Sequence, residues 1–232
     1  MKQKTQRSQV NDAQRANTIK PVPRNPVQSD YIDALMNEVL TLVFGPAGTA
    51  KTFLASSVAA YLFLRGDIKN IYLTRPKVAA EEEWGFLPGT IERKTAPWAQ
   101  PIMEILEECL GKARVQELVQ SGEIAVQPFE FMRGRTFKEA FIILDEAQNV
   151  SQSQMELFLT RIGEDSRVVV NGDLRQSDIR ARSGLAWALD LIQDGLPARL
   201  IEFNADHVER SPFCAMVVKA IERNRTVLST AA

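Results

Sequence analysis

Short runs of continuous apolar residues alternate along the chain with stretches whose apolar positions recur every three or four residues. The first kind suits strands covered on both faces, and the second suits helices that bury one side. Read this way, strands fall at 41–45, 71–74, 124–127, 141–145, 167–171 and 200–203. Helices fall at 29–36, 51–65, 97–110, 115–120, 151–162, 183–192 and 212–223. Strand and helix in alternation predict an α/β fold with a mostly parallel sheet flanked by helices on both sides.

Residues 1–27 break this pattern. Lys2, Lys4, Arg7, Arg15, Lys20 and Arg24 face the single acid Asp12, and the segment ends in Pro21, Pro23 and Pro26. Too little apolar surface is present to offset the entropy of ordering, which predicts a flexible basic arm. The arm would tether a phosphate backbone, clasp a neighbouring subunit, or simply be a solvated tail. Residues 28–232 are then expected to form a single domain.

Composition adds limits. Hydrophobic residues make up 45% and charged residues 25% of the 232, enough apolar material for one sizeable core rather than two small ones. The formal net charge of −1 gives the whole molecule no attraction to nucleic acid or anionic membrane, so any such contact is local. Two widely spaced cysteines, Cys109 and Cys214, and one histidine, His207, rule against a Cys/His zinc site. Both thiols are read as reduced core residues. No apolar stretch suits a signal peptide or a membrane span, so a cytoplasmic location is expected.

Candidate chemistry begins where the first strand ends. Gly45-Pro46-Ala47-Gly48-Thr49-Ala50-Lys51-Thr52 joins a buried strand to a helix start through a glycine-bearing turn, the order a P-loop requires. Successive backbone N–H groups there converge on phosphate oxygens, and the helix N-terminus favours negative charge. Lys51 would reach the β and γ phosphates of ATP, and the Thr52 hydroxyl would hold Mg2+. Ala50 is irregular, since it puts a methyl group where glycine usually lets the backbone approach phosphate.

A second apolar run, Phe141-Ile142-Ile143-Leu144, ends in Asp145-Glu146-Ala147-Gln148. Two acids at a strand tip suit a Walker B segment, with Asp145 toward the metal and Glu146 toward the attacking water. A third strand runs into Asn171-Gly172-Asp173-Leu174-Arg175-Gln176. If it lies beside the second, Gln176 can touch the γ phosphate or the hydrolytic water; otherwise Gly172 and Asp173 simply build a turn. Gln28 is placed near the adenine by position, with a plain loop glutamine as the alternative.

With these segments in hand, the chain resembles the PhoH family of phosphate-starvation-associated ATPases. Further matching segments are Leu73-Thr74-Arg75-Pro76, Gly85-Phe86-Leu87-Pro88-Gly89, Phe131 with Met132-Arg133-Gly134-Arg135-Thr136, Phe158-Leu159-Thr160-Arg161-Ile162-Gly163 and Ser183-Gly184-Leu185. The resemblance covers about residues 28–222. It implies a RecA-like P-loop fold similar to the first core domain of superfamily-one helicases, ATP binding and hydrolysis with Mg2+, and a link to RNA. The small size is similar to that of phage-encoded members. Family sequences carry glycine where this chain has Ala50, and the departure opens an alternative, a nucleotide-binding scaffold or partner protein with weakened catalysis.

Helicase-like ATPases take a charge-neutralising arginine from a second core. Only one core fits here, so the arginine is expected from a neighbouring copy in a head-to-tail homo-oligomer. By resemblance to other single-core ATPases, a hexameric ring is expected. Arg133, Arg135, Arg161 and Arg210 are the candidates, with Arg210 expected to reach outward from a helix opened by Ser211 and Pro212. Arg133 and Arg135 flank Gly134 and would present guanidinium groups to a nucleotide or an RNA phosphate, or be merely solvated. Arg75 and Lys77 would touch RNA or single-stranded nucleic acid without sequence preference. Trp84, Phe86 and Trp98 would stack on bases or pack beneath an insert, and Glu81, Glu82 and Glu83 would repel phosphate. A small-molecule phosphotransferase is the weaker third reading, since neither an acceptor site nor an arginine-bearing lid stands out.

Overall fold

The apolar runs pair as strands β1 (Leu40–Phe44), β2 (Asn70–Thr74), β3 (Ile124–Val126), β4 (Ala140–Leu144), β5 (Arg167–Gly172) and β6 (Arg199–Glu202). Every pairing among them is parallel, and their order is β3-β2-β4-β5-β1-β6. The computed structural model describes residues 20–76, 91–174, 176 and 182–230. Residues 1–19 of the basic arm, Lys77, Glu81, Glu82, Glu83, Trp84, the 85–89 motif with Phe86, and Arg175 lie outside the described residues.

Helices α1 (Pro26–Asn37), α2 (Lys51–Arg65), α3 (Ile91–Leu110), α4 (Lys112–Ser121), α5 (Gln152–Leu159), α6 (Gly184–Gln193) and α7 (Pro212–Thr230) fill the connections. Strand periodicity of two splits the sheet's side chains between two apolar layers. Val43, Ile71, Leu73, Phe141, Ile143 and Val169 pack with α1 to α4. Leu42, Ile142, Leu144, Val168 and Val170 pack on the opposite face with Met155 and Phe158 of α5 and Leu185 and Ala188 of α6. Expectation and structure agree on a doubly covered parallel sheet.

Boundaries moved where caps decide them. The first helix opens at Pro26 instead of residue 29, because Asn25 accepts a hydrogen bond from the Gln28 N–H at 2.9 Å. Proline at the first helical position forfeits no intrahelical bond. Ser151 stands outside α5 as its cap, exchanging hydrogen bonds with Gln154. The cysteines are free, yet neither is a core residue: Cys109 is exposed and Cys214 half-buried. A periodic helix pattern marks the buried stripe, and both thiols fall outside it.

In this sheet β5 is wedged between β1 and β4. The carboxyl ends of all three strands therefore open onto the same edge, where parallel α/β sheets bind ligands.

Candidate functional site

Past β1 the chain turns sharply. Gly45 has φ +140°, and a β-carbon there would lie 2.2 Å from the Phe203 carbonyl oxygen, so only glycine fits. Gly48 follows with φ +86°. Ala50 then adopts a left-handed conformation, φ 66° and ψ 20°, immediately before α2 begins at Lys51. The loop keeps its shape despite the methyl group, at a cost of about 1–2 kcal/mol.

The Lys51 ammonium folds back over this loop. It donates to the carbonyl oxygens of Gly45 (2.7 Å) and Pro46 (2.9 Å) and to Thr49 Oγ1 (3.4 Å). Thr49 is itself buried and donates to the Pro46 carbonyl at 3.2 Å, bracing the turn from inside. Burial lowers the Lys51 pKa, while Asp173, Asp145 and Glu146 pull it back up. A lysine surrounded by three acids and short of solvent can serve as a counter-charge for phosphate.

Asp145 follows β4, its backbone N–H bonded to the Thr74 carbonyl at 2.9 Å. The Thr52 hydroxyl lies 3.4 Å from each of its carboxylate oxygens. Burial, then the neighbouring Glu146, raises the Asp145 pKa; the Glu146 backbone N–H, Arg75 and Lys51 act against them. A hydroxyl beside a carboxylate is an oxygen-only pair, the kind of partial ligand set that suits magnesium. Arg75 thus sits close enough to act on Asp145, and its Nε is buried without a hydrogen-bond partner.

Glu146 takes a left-handed backbone, φ 54°. This turns its carboxylate to Gln148, whose Nε2 donates to Glu146 Oε2 at 2.6 Å. The other end of Gln148 accepts from the Asp173 N–H at 3.0 Å, and Gln176 Nε2 donates to Asp173 Oδ2 at 2.8 Å. A continuous relay, Glu146 to Gln148 to Asp173 to Gln176, therefore joins the tips of β4 and β5. β4 and β5 pair directly, which meets the condition under which Gln176 can reach the site.

These groups meet in an open cleft of about 410 Å³ that also takes in Phe53, Glu209 and Arg210. Glu209 donates its N–H to the Gly48 carbonyl at 2.8 Å, and its carboxylate accepts from Arg24 (3.3 Å) and Asn25 (3.5 Å). That backbone bond sets Arg210 across the loop: a β-carbon on Gly48 would touch its Cδ and Nε at 3.0 Å. Arg210, expected to reach outward, instead covers the turn of its own chain.

Other expected residues fall elsewhere. Gln28 is 1% exposed and absent from the cleft lining; its Oε1 accepts from the Arg24 N–H at 2.8 Å, and its Nε2 is buried without a partner. Arg133 and Arg135 are exposed on the loop around Gly134, outside the cleft, with Arg135 donating to Gln127 Oε1 at 2.9 Å. Arg161 is half-buried and bonds Thr160. Trp98 packs against the α1 to α4 layer, as core aromatics do.

Three residues were missed. Tyr31, within the predicted helix 29–36, is fully buried and donates from its hydroxyl to Asn171 Oδ1 (3.0 Å) and the Lys51 carbonyl (3.3 Å). Burial raises its pKa well above the usual value. Phe53 follows Thr52 in an otherwise buried helix face, and Glu209 is distant in sequence from everything it touches. Only Phe53 carried a signal, an aromatic directly after the lysine–threonine pair.

A family model described as PhoH-like protein matches residues 19–222. PhoH-like proteins of Mycobacterium tuberculosis and Bacillus subtilis are each 40% identical to the chain, over 91% and 84% of its length and 60% and 62% of theirs. Protein PhoH of Escherichia coli is 38% identical over 85% of this chain and 57% of its own. The chain thus spans about 60% of the length of the curated relatives it matches. Among solved structures, the Pif1 helicase from Candida albicans aligns at TM-score 0.42 and 17% identity, covering 79% of this chain and 40% of that one. A Sulfolobus solfataricus SWI2/SNF2 ATPase core in complex with dsDNA aligns at 0.44 and 13%, over 67% and 33%.

Proposed function

Since this chain belongs to the PhoH-like protein family, its cleft is best read as that of an NTP hydrolase, and we propose that it binds and hydrolyses ATP with Mg2+. The observation that carries the reading is the Thr52 hydroxyl held 3.4 Å from both oxygens of Asp145, directly beside the lysine-capped loop. Thr52 and Asp145 would hold magnesium, which when bound neutralises charge on the phosphate oxygens. Lys51 exchanges its bonds to the Gly45 and Pro46 carbonyls for phosphate oxygens. The backbone N–H groups from Gly45 to Thr52 supply the rest of the cradle.

Glu146 accepts the proton of the attacking water as that oxygen bonds to the γ phosphorus and the bond to ADP breaks. Gln148 keeps its carboxylate in place, and Gln176, at the far end of the relay, responds to whether the γ phosphate is present. Arg210 lies over its own loop and would meet the phosphates from the same chain. Arg133 and Arg135, exposed and away from that cleft, suit action on a neighbouring copy in a head-to-tail ring, with a hexamer expected. Coupling to RNA or single-stranded nucleic acid rests on the basic arm and this arginine pair, since Arg75 is turned toward Asp145.

Replacing the base tests the hydrolysis. Glu146→Gln is expected to retain Mg-ATP affinity and to lose turnover by about a hundred-fold or more, measured by phosphate release. Near-normal turnover would remove Glu146 from the mechanism. A second reading, binding with weakened catalysis, is favoured by one observation, the strained Ala50 whose methyl group lines the cleft.

A further inference from the structure

The phosphate machinery accounts for most of the cleft wall. What remains of the lining among the described residues is Ala47, Phe53, Gly172, Glu209 and Arg210. Phe53 is the odd member. Residues 54–60 of α2 are all buried, whereas Phe53, one position past Thr52, is 48% exposed and lines the cleft. Resting on the nucleotide reading, we propose that Phe53 is the stacking platform for the base, making the site selective for purine nucleoside triphosphates as a class.

The argument is one of position and of what else is available. Phosphates dock at the N-terminus of α2, so the ribose and base must extend along a wall next to its first turn. Phe53 occupies that turn and presents the flat apolar surface of this wall. Stacking on such a ring depends on the area of the base, which favours purines over pyrimidines and barely separates adenine from guanine. Telling adenine from guanine needs hydrogen-bonding groups aimed at the base edge. Among the described residues, Glu209 holds Arg24 and Asn25, Gln28 gives its oxygen to the Arg24 N–H while its amide nitrogen is sealed from solvent, and Arg210 lies over the phosphate loop at Gly48.

The test is equilibrium binding of the non-hydrolysable β,γ-imido analogues of ATP, GTP, CTP and UTP, with inorganic tripolyphosphate as a base-free probe, all with magnesium. The purine analogues are expected to bind about ten-fold more tightly than the pyrimidine ones, with ATP and GTP forms close together. Phe53→Leu should erase most of that preference and leave tripolyphosphate affinity unchanged, whereas Phe53→Trp should keep it. The exposed position makes both variants mild for folding, which a melting curve verifies.

If Phe53→Leu left the purine preference intact while tripolyphosphate still bound, the stacking role would be wrong and the phosphate site would stand. A wild-type preference for the ATP form over the GTP form of ten-fold or more would replace stacking with edge reading. Failure of both tripolyphosphate and the nucleotides to bind would bring down the nucleotide reading itself, and the platform with it.

Discussion

A methyl group at Ala50 is forced against the carbonyl that follows it, because φ 66° brings the two together. Glycine has no such conflict. Ala50→Gly should therefore stabilise the folded chain by roughly 1 kcal/mol after allowing for the greater freedom glycine gives the unfolded chain. Thermal melting measures this. The same variant separates the two functional readings: if catalysis is already full, ATP turnover changes little, and if the methyl group hinders phosphate, turnover climbs steeply. At this scale the sequence was informative about identity and silent about conformation. Gly45, Lys51, Thr52, Asp145 and Glu146 were legible because a strand, a turn and a helix start fix where each backbone atom must be. The inward turn of Arg210 was not, since it depends on a hydrogen bond between Glu209 and Gly48 that no local pattern encodes.

Between elements, one hydroxyl links three. Tyr31 on α1 donates to Asn171 at the tip of β5 and to the Lys51 carbonyl in the first turn of α2, while its ring meets Phe203 edge-on at 5.8 Å. Tyr31→Phe keeps the ring and removes the hydroxyl, leaving the buried Asn171 oxygen without its donor. A loss of about 1–3 kcal/mol is expected, seen as a melting temperature lower by several degrees. Unchanged melting would mean that Asn171 finds another partner. Strand and helix identities were readable from periodicity, whereas the neighbour relation of β4 and β5 entered only as a condition for bringing Gln176 to the acids, because strand order in a parallel sheet leaves no periodic trace. The cap at Asn25 was overlooked because the prolines around it resembled an unstructured arm. An asparagine before a proline is also a helix start, and here that reading wins.

For the whole molecule, the proposed ring would draw an arginine from a neighbouring copy. Mixing two inactive variants tests this. Glu146→Gln subunits keep their arginines, and Arg135→Ala subunits keep their base. If Arg135 acts on a neighbour, an equal mixture should recover about a quarter of wild-type turnover, since random assembly puts an intact base beside an intact arginine that often. No recovery would return the arginine to its own chain or exclude Arg135. The relation of distant segments was the least legible feature in the sequence. Arg24 and Glu209 meet at 3.3 Å, and no helical or strand period spans their separation.

That meeting has a consequence in time. β1 lies between β5 and β6, and the loop after it is closed from behind by the Phe203 carbonyl and from the side by Glu209. Synthesis delivers the glycine turn early and its enclosing pieces more than a hundred residues later, at roughly 5–20 residues each second. For those seconds a nascent chain carries a phosphate cradle with no back wall. On the proposed nucleotide reading, capture would be timed to the arrival of β6, and a ribosome stalled before that point should display a chain that cannot retain ATP.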